Sequence, residues 1–228
     1  METFDFAQYQ GRVRAAVGRS FSGGVSLDRL LGRLQQLAGE ADGYIDQFMA
    51  GDRSLIDCGP GCSDCCVVNV STLFPEGIAI TRFIRRQEPE QVQQLSARLE
   101  TLWREVRGLD DEDRLFMRRR CAFLDETGCC SIYPVRPLLC RSISSTDAES
   151  CRDALTAKVF GDEKPVLMHQ FQQQLFETLF TGFAEGLEAA GVDGRSCQLT
   201  GLVRYLLRHP GVENELLAGR RLAWRDLF

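Results

Sequence analysis

Cys58-Gly59-Pro60-Gly61-Cys62-Ser63-Asp64-Cys65-Cys66 places four cysteines in nine residues, spaced C-x3-C-x2-C-C. Gaps of two and three residues let successive sulfurs turn toward one point, and the glycines admit positive-φ turns that bring backbone amides toward sulfur. A second stretch adds Cys121, Cys129, Cys130 and Cys140. Eight of the chain's ten cysteines therefore fall in two short windows, against only two histidines. That is the distribution of ligand loops, since buried cysteines used as small hydrophobes would be scattered. Neighbours such as Cys65-Cys66 rarely reach unstrained disulfide geometry, so the thiols read as reduced metal ligands.

Outward from the first cluster the pattern turns helical. Ser26 is a plausible N-cap, and Leu27, Leu30, Leu31, Leu34, Leu37 and Ala38 recur at helical spacing, which predicts a helix over about 26–49 with Gly43 as a weak point. Val67–Val70 reads as a very short strand. Pro75 suits a first helical position, with Ile80, Phe83 and Ile84 forming a stripe that ends near Pro89. Val92, Leu95, Leu99, Leu102, Trp103 and Val106 then fit a 3.6-residue period. Beyond the aperiodic second loop, 121–141, the spacing predicts a short helix near 147–157. A long helix opens at Pro165 and carries Leu175, Phe176, Leu179, Phe180 and Phe183. Another spans about 196–208 and is ended by His209-Pro210-Gly211. The expected fold is mostly α, with irregular cysteine-rich metal-binding loops packed on a helical scaffold. Its regions are an N-terminal helical segment (1–50), a cysteine-cluster region (51–145) with a helical insertion at 75–120, and a C-terminal helical region (146–228), all in one compact domain.

Composition narrows the function. The 228 residues are 44% hydrophobic and 26% charged, the profile of a globular chain. The net charge of −5 argues against a general nucleic-acid footprint. Met1–Gln10 shows no secretory pattern, and no run approaches the roughly 18 apolar residues of a membrane span; a cytoplasmic location without membrane contact is expected. Gly18–Gly24 lacks the strand and the Lys-Ser/Thr ending of a phosphate loop and reads as a linker. Cys58-x3-Cys62-x2-Cys65 also has the radical-SAM spacing, but the helices that follow do not suit a βα barrel. His169 and His209 have no cysteine neighbours, and the Phe-rich face from 171 to 183 reads as core.

The residues resemble the YkgJ-type or CxxCxxCC cysteine-cluster family, a zinc- or iron-chelating domain, and the same region is similar to the flagellin lysine N-methylases. The resemblance runs through Cys58, Cys62, Cys65, Cys66, Cys121, Phe123, Leu124, Gly128, Cys130, Ser131, Ile132, Tyr133, Arg136, Pro137, Cys140 and Arg141. Ala122 stands where the family usually has proline, and Cys129 is a sulfur that the pattern does not require. The resemblance implies a metal set of Cys58, Cys62, Cys65, Cys66, Cys121, Cys130 and Cys140. Preferred ligands are Cys62, Cys65 or Cys66, Cys121, Cys130 and Cys140, with Cys58 a close further candidate; Cys151 and Cys197 lie outside the pattern and read as helix cysteines. Seven sulfurs exceed the four that a structural zinc needs, which favours an iron–sulfur cluster over zinc. Arg136 and Arg141, inside the motif, are the expected cofactor-binding cations, since several thiolates leave net negative charge. Arg118, Arg119 and Arg120 read as a solvated helix end or, equally, as an anion or nucleic-acid contact. The expected function is a metal-binding protein holding an iron–sulfur cluster or zinc, with a protein partner a further expectation. The alternatives are a metal-dependent methylase-like enzyme and a structural zinc module that mediates protein interaction.

Overall fold

The computed structural model describes residues 3–24, 26–223 and 227, and among them the chain is mostly helical with one short strand pair. Helix α1 (Phe6–Arg19) is capped by Asp5, whose Oδ1 accepts from the Gln8 amide at 2.9 Å. Helix α2 (Leu27–Phe48) starts at the expected N-cap, Ser26, and buries Leu27, Leu30, Leu34, Leu37, Ala38, Ala41 and Ile45 on one face. Gly43 does not interrupt it. After the first cysteine loop come strand β1 (Ser71–Thr72), α3 (Phe74–Ile84), α4 (Pro89–Val106) and α5 (Asp111–Met117). The second loop ends in α6 (Leu138–Ser142); then follow α7 (Ala148–Val159), α8 (Gln170–Ala189), β2 (Cys197–Gln198), α9 (Leu199–Arg208) and α10 (Val212–Leu217). Among the described residues no helix is long and apolar enough to cross a membrane.

Tertiary context corrects several expectations. Val67–Val70 is not a strand: Val67 closes a 3₁₀ turn, and pairing occurs at Ser71 and Thr72, opposite Gln198 and Cys197, where a partner backbone is available. Cys197 accordingly lies in a strand, not a helix, and α9 begins only at Leu199. The long helix opens at Gln170 rather than Pro165. The chain before it is held extended, with the Thr146 amide donating to Leu167 O (3.0 Å) and the His169 amide to Ser144 O (3.1 Å). His169 is the N-cap of α8, its side chain accepting from the Gln172 amide. The Phe-rich face is core in part, with Phe176 and Phe183 buried. Helices α1, α5, α6 and α10 have no counterpart in the sequence reading.

Two apolar cores support the cysteine loops. One gathers Tyr9, Val13 and Val17 of α1, the inner face of α2, and Leu175, Phe176, Leu179, Phe183 and Leu187 of α8. The other joins Ile80 and Ile84 of α3, Leu95, Leu99, Leu102 and Val106 of α4 and Leu199 and Val203 of α9 to Ala122, Phe123 and Ile132, so the second loop is seated directly on it. The closest helix pairing is α1 on α8. A Cβ added at Gly186 would stand 2.6 Å from Val17 Cβ and 2.9 Å from Arg14 O, and one at Gly182 would stand 2.8 Å from Gln10 O. Backbones at that approach tolerate no side chain. Gly186→Ala is expected to lower stability by roughly 1–3 kcal/mol through overpacking, outweighing alanine's better helix propensity. Urea unfolding checks this, and a variant as stable as the parent would refute the close approach.

Candidate metal centre

The two cysteine stretches meet through their backbones. The Cys121 amide donates to Cys66 O at 2.8 Å. Gly61 (φ +86°) and Gly128 (φ +81°) both adopt the left-handed conformation, and a Cβ at Gly128 would lie 3.1 Å from Gly61 O. Glycine is needed at the second position both for the turn and for the approach. Within the second loop, Asp125 Oδ1 accepts from the amides of Thr127 and Cys129 (both 2.9 Å), tying off the tip, and the Ser131 amide donates to Phe123 O at 2.8 Å.

This pairing brings Cys58, Cys62, Cys65, Cys66, Cys121, Cys129, Cys130 and Cys140 to the wall of one cavity of about 470 Å³, so all seven sequence-predicted ligand cysteines share it. The spare sulfur, Cys129, joins them. Among the described residues, no histidine, aspartate or glutamate lines this cavity. The sulfurs are spread over the wall: among the described residues, no three His, Cys, Asp or Glu side chains are already grouped as a metal site. Cys65, Cys121, Cys130 and Cys140 are nonetheless near enough that charge on one raises the pKa of the next. The backbone amides of Phe123 and Ile132 lie so as to favour the thiolates of Cys121 and Cys130. The Ser145 amide donates to Cys58 Sγ at 3.1 Å. Cys151, on α7, lines an adjoining cavity of about 640 Å³ that shares Cys65 with the first. Cys197 is buried in β2, away from both.

Burial pushes up the thiols of Cys58, Cys130 and Cys140, and lifts Cys121 to about 11. Cys65 is raised first by its hydrogen bond with Cys66 and then by burial. These groups carry their protons at neutral pH, so a bound metal must displace them. The donor set itself suits a thiophilic metal, being all sulfur in a half-enclosed apolar chamber.

The arginines sort differently from the sequence reading. Arg136 lines the cavity and stacks over Tyr133, 4.4 Å from the ring centre. Arg141 is not among the lining residues: its guanidinium donates to Arg136 O (3.3 Å) and Pro134 O (3.2 Å) and pairs with Asp42, which holds the second loop to α2. Arg114 of α5, not selected from the sequence, is buried and lines the cavity. Arg118 caps α5 in the left-handed region and donates to Leu155 O, and Arg119 pairs with Glu105 at 3.2 Å.

Sequence reasoning also missed Glu76. Its carboxylate is buried and accepts from the Leu73 amide (2.8 Å) and the Leu138 amide (2.6 Å), joining the N-termini of α3 and α6. Both ends present unpaired amides to it, and α6 carries Cys140. The legible signal was a glutamate at the third helical position after Pro75, half of a capping box.

Residues 57–163 match the CxxCxxCC family, described as "putative zinc- or iron-chelating domain". No curated protein and no solved structure matches the chain.

Burial lifts the Glu76 carboxyl from 4.5 to about 7, against its two amide donors and Arg141. Between those values the folded protein holds a proton that the unfolded chain releases, so stability falls as pH rises through that window. In metal-free protein this group is expected to contribute a loss of up to roughly 3 kcal/mol between pH 4.5 and 7, absent in Glu76→Gln. Urea midpoints across that range test it, and parallel pH profiles for the two proteins would refute it.

Proposed function

We propose that this chain holds an iron–sulfur cluster, with zinc as the alternative occupant, and keeps its thiols reduced in the cytoplasm. Cys65, Cys121, Cys130 and Cys140 are the principal ligands, with Cys58, Cys62 and Cys66 beside them as further sulfurs. The observation that carries this reading is the gathering of eight thiols from two distant stretches on one cavity that, among the described residues, no carboxylate or imidazole lines. A lone tetrahedral zinc with sulfurs at about 2.3 Å would fill little of a chamber of about 470 Å³, which supports the larger, polynuclear occupant. The backbone amides aimed at Cys58, Cys121 and Cys130 favour thiolate over thiol there and would tune its electronics. When bound, an iron–sulfur cluster supplies one-electron redox chemistry and a zinc ion a cross-link between the loops.

The protein's own residues set the conditions for loading. The raised thiols must each release a proton, so affinity falls as the pH falls. Glu76 and Arg141 hold the Cys140 segment against the scaffold, and the Cys121–Cys66 backbone bond fixes how the two stretches face each other. Metal analysis and an absorption spectrum of protein purified without oxygen test the reading. Iron with acid-labile sulfide and a visible absorption band is the expected result; a colourless zinc protein selects the alternative occupant, and absence of both metals overturns the proposal. Cys65→Ser and Cys140→Ser are expected to lose most of the metal, while Cys197→Ser keeps it; unchanged content in the first two would overturn the ligand set.

A further inference from the structure

The cysteine cavity is lined by a buried cation that has no ion pair among the described residues. Arg114 is 3% exposed and lines the chamber. Its Nη1 is buried and has no hydrogen-bond partner among the described residues. The nearest carboxylate that acts on it, Glu105, is held by Arg119 at 3.2 Å. Two acidic residues of α5 are engaged elsewhere, Asp111 with Asn69 at 3.1 Å and Glu112 with Lys158 at 2.7 Å. Across the same chamber Arg136 Nε is also buried without a partner. Two guanidiniums with unmet donors thus line a chamber walled by sulfur. A buried guanidinium cannot shed its proton to relieve this, because it stays charged at any ordinary pH. Helix α5 is nevertheless tied down at both ends, by Lys158 on Glu112 and by Arg118 on Leu155 O, so that Arg114 is kept inside.

Resting on the metal-centre reading above, we propose that Arg114 is a positioning residue of the centre: its Nη1–H donates to sulfur of an anionic, all-thiolate complex and balances the charge that loading creates. The occupant is therefore a net negative species, a metal tetrathiolate or a thiolate-bound cluster. Arg136 shares the task from the opposite loop. Arg141, engaged with backbone carbonyls and Asp42, does not.

Arg114→Met and Arg114→Lys test this, because a charge-balancing residue and a scaffold residue move the readouts in different directions. In metal-free protein, Arg114→Met removes an unbalanced buried cation, so the urea midpoint is expected to stay or rise. In competition with a chromophoric chelator, zinc affinity of the same variant is expected to fall by roughly 10–100-fold. Arg114→Lys keeps the charge but loses the fork, and its affinity is expected to lie between the two. An Arg114→Met protein that is less stable without metal, or that does not fold, would make Arg114 a scaffold residue and overturn the proposal. So would zinc affinities equal to the parent's in both variants. If the parent itself takes up neither zinc nor iron, the metal-centre reading fails first, a result distinct from a parent that binds and a variant that binds equally well.

Discussion

The sulfurs of two stretches more than fifty residues apart in the chain must face one chamber, and the backbone contact between Cys121 N and Cys66 O is what makes them do so. Around it, two left-handed glycines let the loops touch at their turns, where any side chain on Gly128 would press on the opposite carbonyl. The scaffold is arranged to hold this contact. Phe123 and Ile132 anchor the second loop in the α3–α4–α9 core, and a buried carboxylate at Glu76 fastens α6 and Cys140 to the start of α3. The loops contribute ligands; the helices contribute the rigidity that irregular backbone lacks.

Much of this was legible in the residues. The spacing of Cys58, Cys62, Cys65 and Cys66, and the second group from Cys121 to Cys140, pointed to one site because thiol clustering has few other physical uses in a reducing setting. Helices α2, α3, α4 and α9 followed from apolar periodicity and from cap and stop residues. What escaped was set by contacts distant in sequence. Helix α1 depends on two glycines of α8, and a glycine spaced four residues from another carries no periodic signal of its own. Pro165 looked like a helix start, but the chain there is held extended by Ser144 and Thr146. Val67–Val70 has the composition of a strand, yet pairing occurs one step later, where Cys197 and Gln198 lie.

The arginines show the same limit in electrostatic form. Arg136 and Arg141 sit in the motif, and proximity in sequence made both candidates for the cofactor. Side-chain direction then separates them, since Arg141 spends its donors on carbonyls of its own loop, whereas Arg114 reaches the chamber from a seven-residue helix with no apolar period to reveal it. Glu76 is comparable: its role depends on an amide, that of Leu138, which lies 62 residues away. Polar groups that act across the fold leave almost no trace in local pattern.

Ser145 deserves a mechanical description. Its amide holds the Cys58 sulfur, its carbonyl accepts from the Asp57 amide, and its hydroxyl lies 2.7 Å from Asp147 O and 3.0 Å from Leu167 O. One fully buried residue thus couples a thiol to the cap of α7 and to the extended strap that opens α8. The Cys58 sulfur and the strap before the longest helix of the C-terminal half thus share one buried anchor, which gives the chamber a short mechanical route to α8.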